Sequence, residues 1–237
     1  MLDRRYVDDR HRPMFWTLLM CHFVADYPLQ TDAVVQAKKR LPGLLWHVTI
    51  HLVVMLVVIV GILEADWRIA LPWMLALTAL HFLIDLWKNI LSTLRPTWGV
   101  FNYLQDQALH LLSIAGITYW MEKTGDVLLL NEPSWAIPAT GYVLVTHTWF
   151  VTERLLFFHK DPAYRDWVNA QSLSRMIGRA VLFSAWFVGW NLWGLMALVA
   201  GLLYHWWDLA GAYRFRALVT DVLVVATVMA LAGSVSA

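Results

Sequence analysis

Apolar runs over residues 44–63, 69–91, 108–121, 135–158, 181–204 and 218–232 recur along the chain at lengths suited to a bilayer, which takes about 20 helical residues to cross. A shorter run over 15–29 precedes them and contains Pro28, which stops or kinks a helix. The pattern predicts an all-α, polytopic integral membrane helix bundle of about six to seven membrane segments. Helices are expected over about 44–63, 69–91, 101–121, 135–158 and 217–232. The long apolar stretch 181–213 fits either one tilted helix or a broken pair. Residues 160–179 form the longest polar stretch, and the loosely helical spacing of Tyr164, Trp167, Val168, Leu173 and Ile177 predicts a helix lying in the interface. Residues 1–121 form N-terminal helices and 122–237 a Trp-rich C-terminal half, together one membrane domain.

The polar positions inside the first four segments are not scattered. They read HFVAD (His22, Asp26), HVTIH (His47, His51), HFLID (His81, Asp85) and DQALH (Asp106, His110), each pair four residues apart. Residues i and i+4 share one helical face, so each segment presents two potential metal ligands in one direction.

Charge places these pairs. If the first segment crossed fully, the two sides would carry ten and eight Lys/Arg, almost no bias. If that short segment re-enters the side it left, the division becomes fourteen against four. The positive-inside rule then predicts a re-entrant first segment and both termini cytoplasmic. At 1.5 Å per residue, the pairs on the next three helices lie within about 5–15 Å of the cytoplasmic face. The first segment dips in from that face to meet them.

Composition supports a membrane solvent. The chain is 59% apolar and only 15% charged, against about 25% charged in soluble domains, and its mean hydropathy is +0.55. The fifteen Trp include Trp46, Trp67, Trp73, Trp98, Trp135 and Trp167 near segment ends, where aromatic belts sit. The net charge of +1 says nothing about nucleic acid, but no basic stripe with interleaved aromatics is present, so no nucleic-acid partner is expected. The single Cys21 excludes an intramolecular disulfide and any CxxC site. The N-terminus does not read as a cleavable signal, because Asp3, Asp8 and Asp9 interrupt its basic residues.

An ionisable Asp in a membrane costs about 2.5–3.5 kcal/mol on insertion scales. Three carboxylates and five imidazoles in these segments therefore require mutual pairing or an ion. Imidazole with carboxylate is the usual shell for Zn and non-haem Fe. His22, Asp26, His47, His51, His81, Asp85, Asp106 and His110 exceed one tetrahedral shell, so one or two divalent ions are expected, Zn first, with Fe or Mn as alternatives. A metal-free proton or ion pathway and haem- or pigment-type ligation remain the competing uses of the same residues.

Other polar residues have bland and functional readings side by side. Lys88 reads as snorkelling to the interface rather than holding phosphate. Gln30 and Gln107 orient ligands or bond to backbone. Arg165, Arg175 and Arg179 fit a positive-inside loop or a lipid-phosphate site. His205 with Asp208 reads as an interfacial pair, His147 as hydrogen-bonded within the bundle, and Glu153 with Arg154 as a salt bridge at a helix end.

The ordered set HFVADYPLQ, WHVTIH, HFLIDLWK and DQALH over about residues 14–115 resembles a bacterial integral-membrane family catalogued only as domain of unknown function 3307. The resemblance implies a helical membrane fold. It would include His22, Asp26, Gln30, His47, His51, His81, Asp85, Lys88, Asp106, Gln107 and His110 in the family pattern, with a looser match through Glu153, Arg154, Tyr213 and Arg214.

The leading reading is a multi-pass protein of the bacterial inner membrane, acting as a metal-dependent hydrolase on a lipid-like or lipid-linked substrate near the cytoplasmic face. Asp26 and Asp85 are its candidate catalytic carboxylates, with Asp26 as general base. The alternatives are a proton- or cation-coupled transporter, and an accessory or structural subunit of a larger membrane complex that ligates a cofactor. Expected partners are membrane lipids, with a membrane-protein complex or homo-oligomer as further associations.

Overall fold

The computed structural model describes residues 14–125, 132–157, 160–188, 192–209 and 211–236. No strand occurs among them. The chain falls into two compact units, Met1–Ala136 and Ile137–Ala237.

The first unit contains α1 (Phe15–Asp26), α2 (Asp32–Ala37), α3 (Leu41–Met55), α4 (Trp67–Leu94) and α5 (Gly99–Thr124). α3 continues as a π-helical segment over Leu56–Ile62. α1 packs on α3 and α5, while α4 packs along both α3 and α5. α1 is apolar on nearly every side and buries Leu18, Leu19, Met20, Cys21 and Ala25, as expected of a helix enclosed by others. Its N-terminus has no cap of its own. Glu132 supplies one from beyond α5, accepting from the amides of Trp16 (2.8 Å) and Thr17 (2.9 Å) and from the Thr17 hydroxyl. A carboxylate there satisfies orphan donors and opposes the positive helix end.

The outer helices are built with polar groups inward and apolar groups outward. α4 buries Ala70, Met74, Leu77, His81 and Asp85 along one stripe and exposes Leu75, Leu83, Trp87 and Leu94. α5 buries Asn102, Asp106 and His110 and exposes Phe101, Leu104, Leu111 and Leu112. Such large exposed apolar faces call for a membrane or a partner. Between α2 and α3 the backbone approach is close: a Cβ on Gly43 would lie 2.1 Å from the Ala37 carbonyl oxygen, so only glycine fits.

The second unit contains α6 (Ala136–Val143), a π-helical turn over Leu144–Thr148, α7 (Trp149–Phe157), α8 (Pro162–Ala170), α9 (Ser172–Val188), α10 (Leu192–Asp208) and α11 (Arg214–Ser236). The stretch 181–213 is therefore split between two helices. α9 and α10 form an antiparallel hairpin: Gly178 faces His205, and Gly201 faces Val181 and Leu182. The interface helix expected over 160–179 is shorter, because α8 ends at Ala170 and α9 begins two residues later.

Among the described residues, three helices are long and apolar enough to cross a membrane: Leu41–Ile62, Trp67–Leu94 and Arg214–Gly233. The expectation of six to seven segments is not matched by length and apolarity alone. α9 and α10 have 17 residues each, about 26 Å at 1.5 Å per residue, against a core of about 30 Å. α5 is long enough but carries Asp106, Glu122 and Lys123. α1, with 12 residues, is too short to span.

Candidate metal centre

The i,i+4 pairs share a face on each helix, and the packing of α1, α3, α4 and α5 turns all four faces inward. Three overlapping groups result: Asp26 with His47, His51 and His81; His22 with His81 and His110; and Asp85 with Asp106 and His110. All eight donors predicted from spacing are thus brought together. All five His, together with Asp85 and Asp106, are buried, at 5% exposure or less.

Around Asp26, Oδ1 lies 3.1 Å from His47 Nε2, 3.1 Å from His51 Nε2 and 4.0 Å from His81 Nε2. His47 and His81 present their Nε2 atoms to each other at 3.3 Å. Asp85 Oδ2 lies 3.3 Å from His47 Nε2 and 3.7 Å from His81 Nε2. Donors held at about 2.0–2.2 Å on one tetrahedral ion would stand about 3.3–3.6 Å apart. The separations bracket that value.

On the α5 side, Asp106 Oδ1 and His110 Nε2 stand 3.4 Å apart. Neither atom has a hydrogen-bond partner, and nor has His22 Nε2. Buried polar atoms are normally bonded, and these three lie where one cation could engage them, His22 Nε2 also standing 3.4 Å from Asp26 Oδ2. A residue set of imidazole nitrogens and carboxylate oxygens fits a divalent ion of the Zn, Fe or Mn type. A cavity of about 10 Å³ adjoins the imidazoles of His22, His51, His81 and His110, close to the smallest space that holds a water.

Four further residues hold these ligands in place. Gln30 Nε2 lies 3.3 Å from Asp26 Oδ1 and 3.3 Å from His47 Nε2. Gln107 donates to Asp106 Oδ2 at 3.1 Å and accepts from the Tyr27 hydroxyl at 3.0 Å. Lys88 donates to Asp106 Oδ2 at 2.6 Å. It is an ion-pair partner with a partly exposed ammonium, rather than a simple snorkelling residue. Lys38 lies outside the four donor pairs, and no spacing in the sequence marks it. It caps the C-terminus of α2, Asn89 on α4 fixes its carbonyl at 2.8 Å, and its ammonium reaches Asp85 Oδ2 at 3.3 Å.

The second unit holds a different ionic cluster, which sequence reasoning missed. Asp221 on α11 accepts from Arg175 Nη2 (2.5 Å) and Arg179 Nη1 (2.8 Å) at Oδ1, and from Arg175 Nε (2.9 Å) at Oδ2. His205 Nε2 lies 2.9 Å from the same Oδ2. Glu153 Oε2 pairs with Arg175 Nη1 at 2.7 Å, and Oε1 accepts from the Tyr164 hydroxyl at 2.5 Å. Burial and the adjacent Glu153 push the Tyr164 phenol above its ordinary range, which keeps it a donor. Arg179 also donates to the Val145 and Thr146 carbonyls in the π-helical turn, where widening of the helix frees backbone acceptors.

Several single-residue expectations are corrected here. Arg175 and Arg179 are buried inside α9, not in a loop, so they are closed to lipid phosphate. Glu153 pairs with Arg175, while Arg154 lies over the Phe150 ring at 5.4 Å. His205 pairs with Asp221; the Asp208 side chain lies outside the described residues. His147 lies 3.0 Å from the Thr146 hydroxyl, bonded within the bundle as expected. Residues 1–13, the expected polar arm, also lie outside the described residues.

Comparisons with curated proteins and with solved structures return no match. A family model described as Protein of unknown function (DUF3307) matches residues 14–137, a span that contains all eight clustered donors together with Lys38 and Lys88. The match takes in more than half of the chain, which therefore belongs to the DUF3307 family.

Proposed function

We propose that this chain is a multi-pass protein of the bacterial inner membrane that binds one or two divalent metal ions, Zn first, between α1, α3, α4 and α5. It uses them to hydrolyse a lipid-like or lipid-linked substrate near the cytoplasmic face. The observation that carries the reading is the convergence of eight donors with three of them, His22 Nε2, Asp106 Oδ1 and His110 Nε2, orphaned toward one another.

A bound ion would polarise a carbonyl or phosphoryl oxygen and ease deprotonation of water. The chain's own residues divide the remaining work. Asp26 has the most exposed side chain of the three carboxylates, 7% against 2% for Asp85 and 1% for Asp106, so it is best placed to pass a proton outward. Gln30 and Gln107 hold the Asp26 carboxylate in orientation. Asp85, tied to Lys38, serves as the second catalytic carboxylate by fixing charge beside His47 and His81.

In the membrane, α5, the continuous helix from Ala136 to Phe157, α9 and α10 cross in addition to the three long apolar helices, and α1 re-enters from the cytoplasmic side. Splitting 181–213 into a hairpin changes the parity of the count. The N-terminus stays cytoplasmic and the C-terminus moves to the opposite face, in place of the two cytoplasmic termini expected from a single span. This arrangement adds Arg214 and Arg216 to the positive side and leaves only Arg68 and Lys123 on the other. Membrane lipids are the primary partners, and the exposed apolar faces leave room for a membrane-protein complex or homo-oligomer.

The test is product formation by the full chain in proteoliposomes of bacterial-type lipid, followed by mass spectrometry with and without chelator. A chelator-sensitive hydrolysis product that disappears in Asp26→Asn is expected. Metal-loaded protein that releases no product from any lipid class would overturn the enzymatic part. Ion flux in the same vesicles, abolished by Asp85→Asn, would instead favour a transporter.

A further inference from the structure

We propose that the cluster is a two-ion site in which Asp85 bridges the ions; this rests on the metal-binding reading above and fixes its stoichiometry. Seven of the eight donors fall into two sets that share no residue, Asp26, His47, His51 and His81 in one and Asp85, Asp106 and His110 in the other, while His22 groups with His81 of the first and His110 of the second. Asp85 turns its two oxygens to different sets: Oδ2 lies 3.3 Å from His47 Nε2 and 3.7 Å from His81 Nε2, whereas Oδ1 lies 3.9 Å from His110 Nε2. Two-metal sites hold their ions about 3.5–4 Å apart, a distance that one carboxylate spans with its two oxygens.

The orphaned atoms argue for the second ion in particular. The first set already has internal contacts, since Asp26 Oδ1 lies 3.1 Å from both His47 and His51. A single ion placed there would leave Asp106 Oδ1 and His110 Nε2 facing each other at 3.4 Å with no other partner. Lys88 cannot satisfy them, because it occupies the other oxygen of Asp106, Oδ2, at 2.6 Å. Its bond turns Oδ1 toward His110 and holds it there. His22 Nε2, the third such atom, lies between the two sets, grouped with His81 of the first and His110 of the second and 3.4 Å from Asp26 Oδ2. Three carboxylates face two ammonium groups, Lys38 and Lys88, so the cluster carries one unmatched negative charge before any ion enters, and a second divalent ion would have to bring anionic ligands with it.

Cobalt(II) titration of metal-stripped, full-length protein reads the number of sites by the ligand-field absorption. The wild type is expected to saturate at two equivalents, and His110→Ala and Asp106→Asn at one. Manganese(II)-loaded wild type should show spin coupling between ions that either variant abolishes. Saturation of the wild type at one equivalent overturns the two-ion assignment while leaving the metal-binding reading intact. No saturable binding overturns both. Because the wild-type endpoint alone decides, the test survives a variant that fails to fold.

Discussion

The two units bury ionic clusters of opposite design. In the second unit, two arginines meet two carboxylates, and Asp221 has both oxygens engaged by Arg175, Arg179 and His205. The charges cancel inside the cluster. In the first unit, three carboxylates meet two lysines and five imidazoles, which leaves one negative charge unmatched. A closed cluster of the first kind fixes helices in place. An open one of the second kind is suited to a cation. Burial alone does not distinguish the two clusters; charge balance does.

The largest effect that would test this contrast is Asp221→Ala, which strands two buried guanidinium groups. Breaking a buried pair costs about 3–5 kcal/mol, so the detergent-solubilised protein should lose most of its stability to thermal unfolding. Metal content per folded chain should stay unchanged. A stable Asp221→Ala protein would mean that the second cluster is not closed.

Removing the guest from the first cluster comes next. An ion present at 100 times its Kd stabilises the folded state by about 2.7 kcal/mol, so chelator should lower the wild-type melting temperature. His51→Ala should melt at the same temperature with or without chelator. Because imidazoles must be neutral to bind metal, retention should weaken as acid is added, and metal retention insensitive to acid throughout the range in which the protein stays folded would argue against imidazole ligation.

A supporting residue should have a smaller effect. Gln107→Ala removes a donor to Asp106 and the acceptor of Tyr27; changes of this kind typically weaken metal binding about 10–100-fold, measurable by competition with a chromophoric chelator. Gly178→Ala places a Cβ 1.9 Å from His205 Nδ1. Overpacking of this kind costs about 1–3 kcal/mol, and it should lower stability without altering metal affinity. At the bottom of the scale, Lys39→Ala, whose ammonium bonds only at the surface to Gln36, should shift stability by less than about 0.5 kcal/mol.

The same contrast explains what could be read from the sequence. The first cluster was legible because each helix carries its donors at i,i+4, and the period of the helix converts that spacing into a common face. Lys38 was not, because its role depends on the turn from α2 into α3 and on Asn89 across the bundle. The second cluster draws Glu153, His205 and Asp221 singly from separate helices, with no spacing to mark them. Arg175 and Arg179 did offer a signal, two like charges on one helical face, which only an anion between them makes tolerable. That signal was hidden because polar residues over 160–179 read as interface and loop. The helix break within 181–213 was equally hidden, since an apolar hairpin and an apolar rod share a composition.

The central claim, that the open cluster is a metal centre built from imidazole and carboxylate, is tested most directly by X-ray absorption spectroscopy of the purified full chain. A divalent metal with only nitrogen and oxygen neighbours at about 2.0–2.2 Å, and absent from His51→Ala, is the predicted result. Wild-type protein without a stoichiometric metal edge, or a metal with a sulfur neighbour at about 2.3 Å from the buried Cys21, would contradict it.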